Sequence, residues 1–309
     1  MNDRPTRATV AGRAYLDLQN LARRTNRPTD ELHQIYALEG FLARLVESTY
    51  ADRLVLKGGV LLAALDVRRP TRDVDFQGRH VSNDVDQMLA MVKVIAGIPL
   101  DDGLVLHTDA ATAEIIRDQD EYSGVRVTLT GRLAAAHLSF HVDINVGDPI
   151  WPAPQTVTVP RLLEGSIRTV GYPLAMVHAE KLVTALQRGA ANTRWRDFVD
   201  VYALSRRHNI DGDELTSATK QVAEHREARL TSLRETLGDY ATQAQRRWAV
   251  WLRKQHLTDQ VPNEFDVILS AIGEFADPAL LGKATGLTWN AAHLVWAPGP
   301  RPTIEFVSA

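Results

Sequence analysis

Hydrophobic and polar positions in the first part of the chain follow the period of helices and then that of strands. Residues 10–26 and 30–49 carry apolar side chains at helical spacing, which predicts two amphipathic helices. The second helix follows Pro28 and begins with acidic residues, a typical helix start. The pattern then predicts a strand over 53–56 and, after two glycines, a short apolar helix over 60–65.

Strand-like alternation is the main pattern of the following residues. It predicts strands over 73–76, 125–129, 138–144 and 157–160, the last as an edge strand, with a helix over 84–96. From Pro173 to about 275 helical spacing returns. We therefore expect an α/β domain over residues 1–165 and a helical domain over residues 166–309, connected near 160–172.

Composition narrows the class of protein. The chain has 309 residues, of which 45% are hydrophobic and 24% charged, values typical of a folded globular protein. The absence of cysteine excludes disulfide scaffolds, cysteine-ligated zinc, thiol catalysis and iron–sulfur clusters. No apolar run is long enough to span a membrane, and the first residues lack the apolar core of a signal peptide. We expect a soluble, cytoplasmic protein.

Charge is unevenly distributed along the chain. The formal net charge is only −3, which argues against a general nucleic-acid-binding protein. Between Lys181 and Lys254, however, 14 basic residues stand against 9 acidic ones. This local excess predicts that the helical domain presents a surface suited to phosphate groups.

Asp73 and Asp75 are the first candidates for chemistry. Residues at i and i+2 of a strand project from one face, and two carboxylates so placed repel each other unless a cation neutralises them. Hard divalent ions such as Mg²⁺ or Mn²⁺ are the expected ligands of such a pair. Asp143 interrupts an apolar strand and is a candidate third metal ligand. A lone Asp-x-Asp is more often a solvated strand end, so the pair needs support from other residues.

That support comes from Lys57, Gly58 and Gly59, which lie between the predicted strand and the short helix. Glycines let backbone N–H groups approach a triphosphate, and the lysine adds a positive charge. The basic loop that contains Arg68, Arg69 and Arg72 would also suit phosphate, although such a loop can equally be an ordinary solvated connection. No P-loop sequence occurs in the chain.

The helical domain contains a second group of charged residues. Lys181 could neutralise nucleotide phosphate or bind the accepting strand. Arg194 or Arg196 could form surface ion pairs with Asp200, which would contribute only tenths of a kcal/mol. Asp197 could orient Lys181 without touching substrate.

Five segments of the sequence resemble the AbiEii/AbiGii-type nucleotidyltransferase toxins, including the MenT-like proteins. They occur in the family's order and cover about residues 30–215. The segments are Tyr-Ala-Leu-Glu-Gly-Phe-Leu-Ala-Arg-Leu (36–45), Val-Leu-Lys-Gly-Gly (55–59), Arg-Pro-Thr-Arg-Asp-Val-Asp-Phe (69–76), Ala-Glu-Lys-Leu (179–182) and Asn-Thr-Arg-Trp-Arg-Asp-Phe-Val-Asp (192–200).

The resemblance implies a two-lobed polymerase-β-type nucleotidyltransferase fold, α/β + α, with a mixed sheet and a helical C-terminal lobe. It implies Mg²⁺-dependent transfer of NMP from an NTP to RNA, with the tRNA 3′ end as acceptor, by the toxin of a toxin–antitoxin pair that a cognate antitoxin protein inhibits. Phage defence, inhibited translation and arrested growth are the associated roles.

The same resemblance gives roles to individual residues. It assigns Asp73, Asp75, Lys181 and Asp197 to catalysis, and Gly58 and Gly59 to the phosphate-binding turn that Lys57, Thr71 and Arg72 supplement. Thr71 stands where relatives often have Ser, a position at which modification could silence the site. Asp143 as a third metal ligand, with Asp73 and Asp75, comes from the wider superfamily geometry.

Two other functions remain open from the sequence. The acceptor could be a protein hydroxyl or a small molecule such as an aminoglycoside. The chain could also be a degenerate nucleotidyltransferase fold that binds a nucleotide or a partner without catalysis. The intact Gly-Gly and Asp-x-Asp favour an enzyme over this second alternative.

Overall fold

A computed structural model describes residues 5–117 and 123–299, which form a mixed α/β protein. Contacts divide the described residues into two compact units. The first unit comprises the residues up to Asp148 together with Pro154–Tyr172. The second unit comprises Pro149–Ala153 together with the residues from Pro173 onward.

The first unit contains an eight-stranded sheet and its helices. The predicted helices over 10–26 and 30–49 are confirmed, and so are the strands around 53–56, 73–76, 125–129, 138–144 and 157–160. The elements in chain order are α1 (Val10–Thr25), α2 (Thr29–Val46), β1 (Leu54–Lys57), α3 (Gly58–Leu61, continued by a 3₁₀ turn over Leu62–Leu65), β2 (Asp73–Gly78), α4 (Val85–Ala96), β3 (Leu104–Leu106), β4 (Thr112–Arg117), β5 (Ser123–Leu133), β6 (Ala136–Val146), β7 (Gln155–Pro160) and β8 (Ser166–Gly171).

The sheet is mixed, and the candidate metal ligands Asp73, Asp75 and Asp143 lie on its central strands. The strand order is β3-β5-β6-β2-β1-β8-β7, with β4 paired to β5. At the centre, β2 runs parallel to β6 and antiparallel to β1. Strand β7 lies at one edge, as its short pattern predicts. Residues 160–172 are not the simple connection that the sequence suggests, because they contain β8, which pairs with both β1 and β7.

The two faces of this sheet differ in polarity. Val74 and Phe76 on β2 are fully buried, as are Val142 and Ile144 on β6. Phe41 of α2 packs against Phe76, with ring centroids 6.3 Å apart, so that this face forms the core. Because successive side chains of a strand alternate, the intervening positions of β2 and β6 lie on the opposite face. This opposite face carries the carboxylates of Asp73, Asp75 and Asp143.

The second unit is mainly helical, which confirms the prediction from Pro173 onward. A small antiparallel sheet, which the sequence does not predict, also belongs to it; Trp289 and Trp296 lie opposite each other on two of its strands. No helix of the described ranges has both the length and the apolarity needed to cross a membrane. The elements are α5 (Leu174–Arg188), α6 (Trp195–Ser205), β9 (Ile210–Asp211), α7 (Gly212–His225), α8 (Leu233–Leu237), α9 (Tyr240–Gln255), α10 (Phe265–Leu280), β10 (Leu287–Asn290) and β11 (Val295–Pro298).

Candidate active site

Asp73, Asp75 and Asp143 converge on the polar face of the central strands, and we call them the acidic cluster. Asp75 on β2 lies directly beside Asp143 on the parallel strand β6. Each of the three residues offers a carboxylate oxygen, and these oxygens all lie within 4.8 Å of one another. The alternation of side chains along each strand and the β2–β6 register are therefore sufficient to bring the three carboxylates together.

The electrostatics of the acidic cluster show a shortage of positive charge. Burial, followed by the negative charges of Asp73 and Asp143, raises the pKa of Asp75 to about 7. Lys57 and Arg69 act in the opposite direction and lower that pKa, but they do not cancel the rise. A carboxyl group with this pKa is only partly ionised at neutral pH, and a further cation would favour its ionised form.

The donor set of the acidic cluster fits a hard divalent ion. All three donors are carboxylate oxygens, which Mg²⁺ and Mn²⁺ prefer. A bound cation would also relieve the repulsion that raises the pKa of Asp75. The chemistry of the residues is thus compatible with a metal site held by Asp73, Asp75 and Asp143.

Gly58 and Gly59 leave no room for side chains next to the acidic cluster. Gly58 has a φ of +63°, a conformation that favours glycine, and a Cβ at this position would lie 1.9 Å from Oδ2 of Asp75. A Cβ on Gly59 would lie 2.8 Å from Oγ1 of Thr71. Gly58 therefore allows α3 to pack closely against β2, and Gly59 allows it to pack against Thr71, which precedes β2.

Thr71 and Arg72 lead into β2, and only Thr71 contacts the acidic cluster. The buried Thr71 hydroxyl donates a hydrogen bond of 2.5 Å to Oδ1 of Asp73 and lies 3.2 Å from the Asp73 carbonyl oxygen. Arg72 is exposed, and its carbonyl oxygen accepts a hydrogen bond from the backbone N–H of His141. Thr71 thus fixes the orientation of one carboxylate.

Lys57 ends β1 and lies directly across from Asp75 in the antiparallel register. Its Nζ atom is 3.5 Å from Oδ2 of Asp148 and 5.3 Å from the ring centroid of Tyr172. The Asp148 side chain is only 4% exposed. This carboxylate partner was missed in the sequence, where Gly-Asp-Pro after β6 resembles an ordinary turn.

The basic loop before β2 has a structural anchor. Arg68 donates a 2.7 Å hydrogen bond to Oε1 of Glu39, a residue of α2 that is only 1% exposed. The same carboxylate accepts the backbone N–H of Leu162. In the structure Arg68 therefore holds the loop to α2.

Arg126 on β5 is a further member of the site that sequence reasoning missed. Its guanidinium forms two hydrogen bonds with Asp143, from Nε to Oδ1 at 2.9 Å and from the terminal nitrogen to Oδ2 at 2.7 Å. The residues are direct neighbours in the β5–β6 register. Only a prediction of that register could have found this pair.

Lys181, Asp197 and Asp200 form a separate group inside the second unit, which we call the lysine cluster. The Nζ of Lys181 on α5 donates to Asp197 at 2.6 Å and to Asp200 at 2.8 Å, both on α6. Arg194 binds the other oxygen of Asp197 at 3.0 Å. Asp200 is buried and pairs with Lys181, so it is not the exposed residue that a surface ion pair requires; Arg196 donates a hydrogen bond to Gln255.

Comparison with known proteins identifies a family. The family model described as "Nucleotidyl transferase AbiEii toxin, Type IV TA system" matches residues 40–271. This range contains every residue of both clusters. No curated protein matches the chain.

Two solved structures from Helicobacter pylori are similar to the chain. JHP933 has 18% sequence identity and a TM-score of 0.47, covering 82% of this chain and 94% of its own. A candidate nucleotidyltransferase has 17% identity and a TM-score of 0.44, covering 87% of this chain and 96% of its own.

Proposed function

Because the chain belongs to the AbiEii family of nucleotidyl transferase toxins, we propose that it transfers NMP from an NTP to the 3′ end of a tRNA. The acceptor oxygen forms a bond to the α-phosphorus, the bond from that phosphorus to the bridging oxygen breaks, and pyrophosphate leaves. Loss of a usable tRNA end would stop translation and growth. A cognate antitoxin protein would oppose the effect.

The convergence of Asp73, Asp75 and Asp143 beside Gly58 carries this proposal. Three partly buried carboxylates within 4.8 Å of one another are costly to maintain without a function. In the two-lobed polymerase-β-type arrangement that we propose, the sheet-containing unit is the catalytic domain. The hydroxyl of Thr71 holds the Asp73 carboxylate, and a carboxylate of the acidic cluster accepts the proton of the attacking hydroxyl.

Asp73, Asp75 and Asp143 are the residues that would hold Mg²⁺ or Mn²⁺. A bound divalent ion supplies charge neutralisation for the phosphates and activates the attacking hydroxyl. Backbone N–H groups at Gly58 and Gly59 are proposed to bind the triphosphate, with Lys57 and Arg72 as additional positive charges. These assignments rest on the central strands β1 and β2, which are paired, and on α3, which begins directly after β1.

An RNA acceptor is favoured by the surface of α9. This helix contains four basic residues and no acidic residue, and all four basic side chains are exposed; they are Arg246, Arg247, Arg253 and Lys254. Trp251 is half-buried on the same helix and lies edge-on to Trp195. Positive charge with nearby aromatic rings suits single-stranded nucleic acid better than a small-molecule or protein hydroxyl.

The lysine cluster is proposed to serve the same reaction from the second unit. Asp197 and Asp200 fix the position of the Lys181 ammonium. A positioned ammonium binds a phosphate group as a point charge. We assign Lys181 to phosphate binding and Asp197 to its orientation.

Label transfer tests the proposed reaction. Purified protein is incubated with each α-labelled NTP, Mg²⁺ and total tRNA, and we expect label at the RNA 3′ end. Asp75→Ala should abolish the label, whereas the exposed control Asp101→Asn should retain it. Label on protein or on a small molecule would instead support those acceptors, and nucleotide binding without transfer to any acceptor would identify a binding module.

A further inference from the structure

The strand register places five charged residues side by side across the sheet, and we call them the charged row. Lys57 on β1 is opposite Asp75 on β2, which is beside Asp143 on β6. Asp143 is opposite Arg126 on β5, which is opposite Glu114 on β4. Residues directly paired across strands share one face of a sheet and interact through their side chains.

The order of charges along the charged row is positive, negative, negative, positive, negative. The like-charged neighbours Asp75 and Asp143 are therefore bracketed by Lys57 and Arg126. Each bracketing cation has a further acidic residue within its surroundings: Asp148 for Lys57, and Glu114 for Arg126. The sheet thus surrounds its acidic pair with internal counter-ions.

Arg126 is the more strongly engaged of the two cations. It binds both oxygens of Asp143, the bidentate geometry that gives the strongest ion pairs. The Arg126 side chain is 32% exposed, while that of Asp143 is 9% exposed. The arginine can therefore move toward solvent more easily than the carboxylate can.

Occupation of both Asp143 oxygens has a consequence for a cation that enters the acidic cluster. An incoming divalent ion must share Asp143 with a guanidinium or displace it, and the two positive charges repel each other. The exposed side chain of Glu114 is the next acceptor along the charged row. A displaced Arg126 has an acidic neighbour on its other side.

We propose that Arg126 is a resident counter-cation that holds Asp143 in the metal-free protein and passes to Glu114 when a divalent ion enters. Arg126 is a positioning residue in this role, and Glu114 sets how readily the exchange occurs. The inference rests on the metal site of the proposed function. It predicts that the two residues tune the affinity for the ion in opposite directions.

Mn²⁺ titration of the nucleotide-free protein, with free Mn²⁺ measured by electron paramagnetic resonance, tests the exchange. Arg126→Gln should bind Mn²⁺ roughly three- to tenfold more tightly, because the competing cation is removed. Glu114→Gln should bind it roughly two- to threefold more weakly. In the Arg126→Gln background, Glu114→Gln should lose most of its effect, since only the arginine links Glu114 to the ion.

The controls separate this exchange from a general change in charge. Arg132→Gln alters an exposed arginine of the same strand outside the charged row, and Glu164→Gln alters an exposed glutamate of the same unit. Neither substitution should change the Mn²⁺ affinity as Arg126→Gln or Glu114→Gln does. Arg126→Lys, which keeps the charge but cannot bind both oxygens, should give an intermediate gain in affinity and replaces Arg126→Gln if circular dichroism shows that variant to be unfolded.

Unchanged or weaker Mn²⁺ binding in both Arg126 variants would overturn the inference, as would an equal effect of Glu114→Gln in both backgrounds. If wild-type protein and Arg126 variants all fail to bind Mn²⁺, the exchange and the metal site fall together. If the exchange is observed but no NTP is consumed with any acceptor, the proposed function fails and the exchange stands.

Discussion

The acidic cluster and the lysine cluster both contain partly buried charges, but they differ in how far neighbouring residues compensate those charges. In the sheet, three carboxylates stand together, and the pKa of Asp75 remains raised despite Lys57 and Arg69 nearby. In the helical unit, the ammonium of Lys181 has two carboxylates at 2.6 and 2.8 Å, and Arg194 binds one of them. The cations beside the first cluster do not cancel the repulsion at Asp75, whereas each carboxylate of the second cluster has a basic partner within 3 Å.

This difference indicates which cluster requires something from outside the chain. A group with matched internal partners is fixed by folding, so its mutation affects stability first. A group with unmatched like charges gains most from a bound cation, so its mutation affects binding and chemistry first. The proposed division of roles between the clusters follows from this contrast.

The largest effect is expected from Asp75→Asn. Transfer of labelled NMP should fall about a thousandfold or more, because several kcal/mol of charge stabilisation at the phosphates are lost. Stability should rise or stay unchanged at pH 8. The folded-state pKa of about 7 lies above the ordinary 3.8, so the wild-type protein loses stability when Asp75 ionises as the pH rises, and Asn cannot ionise.

Label transfer and urea unfolding at pH 8 in the absence of divalent ions check both parts of this expectation. The control Asp101→Asn should change neither quantity, since Asp101 is exposed. A marked loss of stability in Asp75→Asn would show that the acidic cluster is a structural element, and the contrast with the lysine cluster would disappear.

Lys181→Met should show the reverse behaviour, with a loss of stability as its main effect. Removal of the ammonium leaves Asp197 and Asp200 facing each other, and the Asp200 side chain is only 1% exposed. Breaking such a buried pair costs about 3 kcal/mol, measured by urea unfolding. Lys220→Met is the matched control, because Lys220 forms an exposed pair with Glu224 and its loss should cost less than about 0.5 kcal/mol.

A loss of stability in Lys181→Met no larger than that in Lys220→Met would contradict the view that folding fixes the lysine cluster. Asp200→Asn adds a second measurement, since it keeps the volume of the side chain but weakens the partner of Lys181. We expect its free energy of unfolding to lie between those of the wild type and Lys181→Met.

The acidic cluster was largely predictable from sequence because strands impose a period of two. That period places Asp73 and Asp75 on one face, and the parallel β2–β6 pairing then brings Asp143 beside them. Arg126 and Glu114 were not predictable, because their roles depend on a register across three strands. The local sequence around each residue does not predict that register.

The lysine cluster shows a different limit of sequence reasoning. The sequence predicts that Asp197 orients Lys181, but it also allows Asp200 to be a surface residue paired with Arg194 or with Arg196, the latter four residues earlier on the same helix. The orientation of α6 against α5 decides instead, and it turns Asp200 inward. The strands β3, β4 and β8 to β11 were missed as well, and none of them is longer than six residues, which leaves little room for a strand pattern to show.

His178 offers a further test of the same contrast through pH. Burial on α5, followed by the charge of Lys181, lowers its pKa to about 3, and its Nδ1 makes no hydrogen bond among the described residues. The folded-state value lies below the ordinary 6.5, so stability should fall as the pH decreases from 6.5 toward 3, by up to about 1.4 kcal/mol per pH unit.

His178→Leu should flatten the pH dependence of urea unfolding in that range, because the apolar side chain takes up no proton. His137→Gln, at an exposed position of β6, should leave the dependence as in the wild type. If both variants retain the wild-type slope, His178 is not the group that couples the helical unit to acid.

The smallest effect is expected from the basic surface of α9, where each charge contributes little by itself. Arg247→Gln combined with Lys254→Gln removes two exposed positive charges from a helix without acidic residues. Single-stranded RNA should then bind roughly five- to tenfold more weakly by fluorescence anisotropy, with a shallower dependence on salt, because fewer counter-ions are released.

Arg23→Gln with Arg24→Gln makes the same change in charge on α1, where both residues are exposed, and should have little effect. An equal loss of RNA affinity for both pairs of substitutions would mean that binding depends only on the net charge of the protein. A loss specific to α9 would show instead that the helical unit binds a polyanion through the exposed positive charges of this helix.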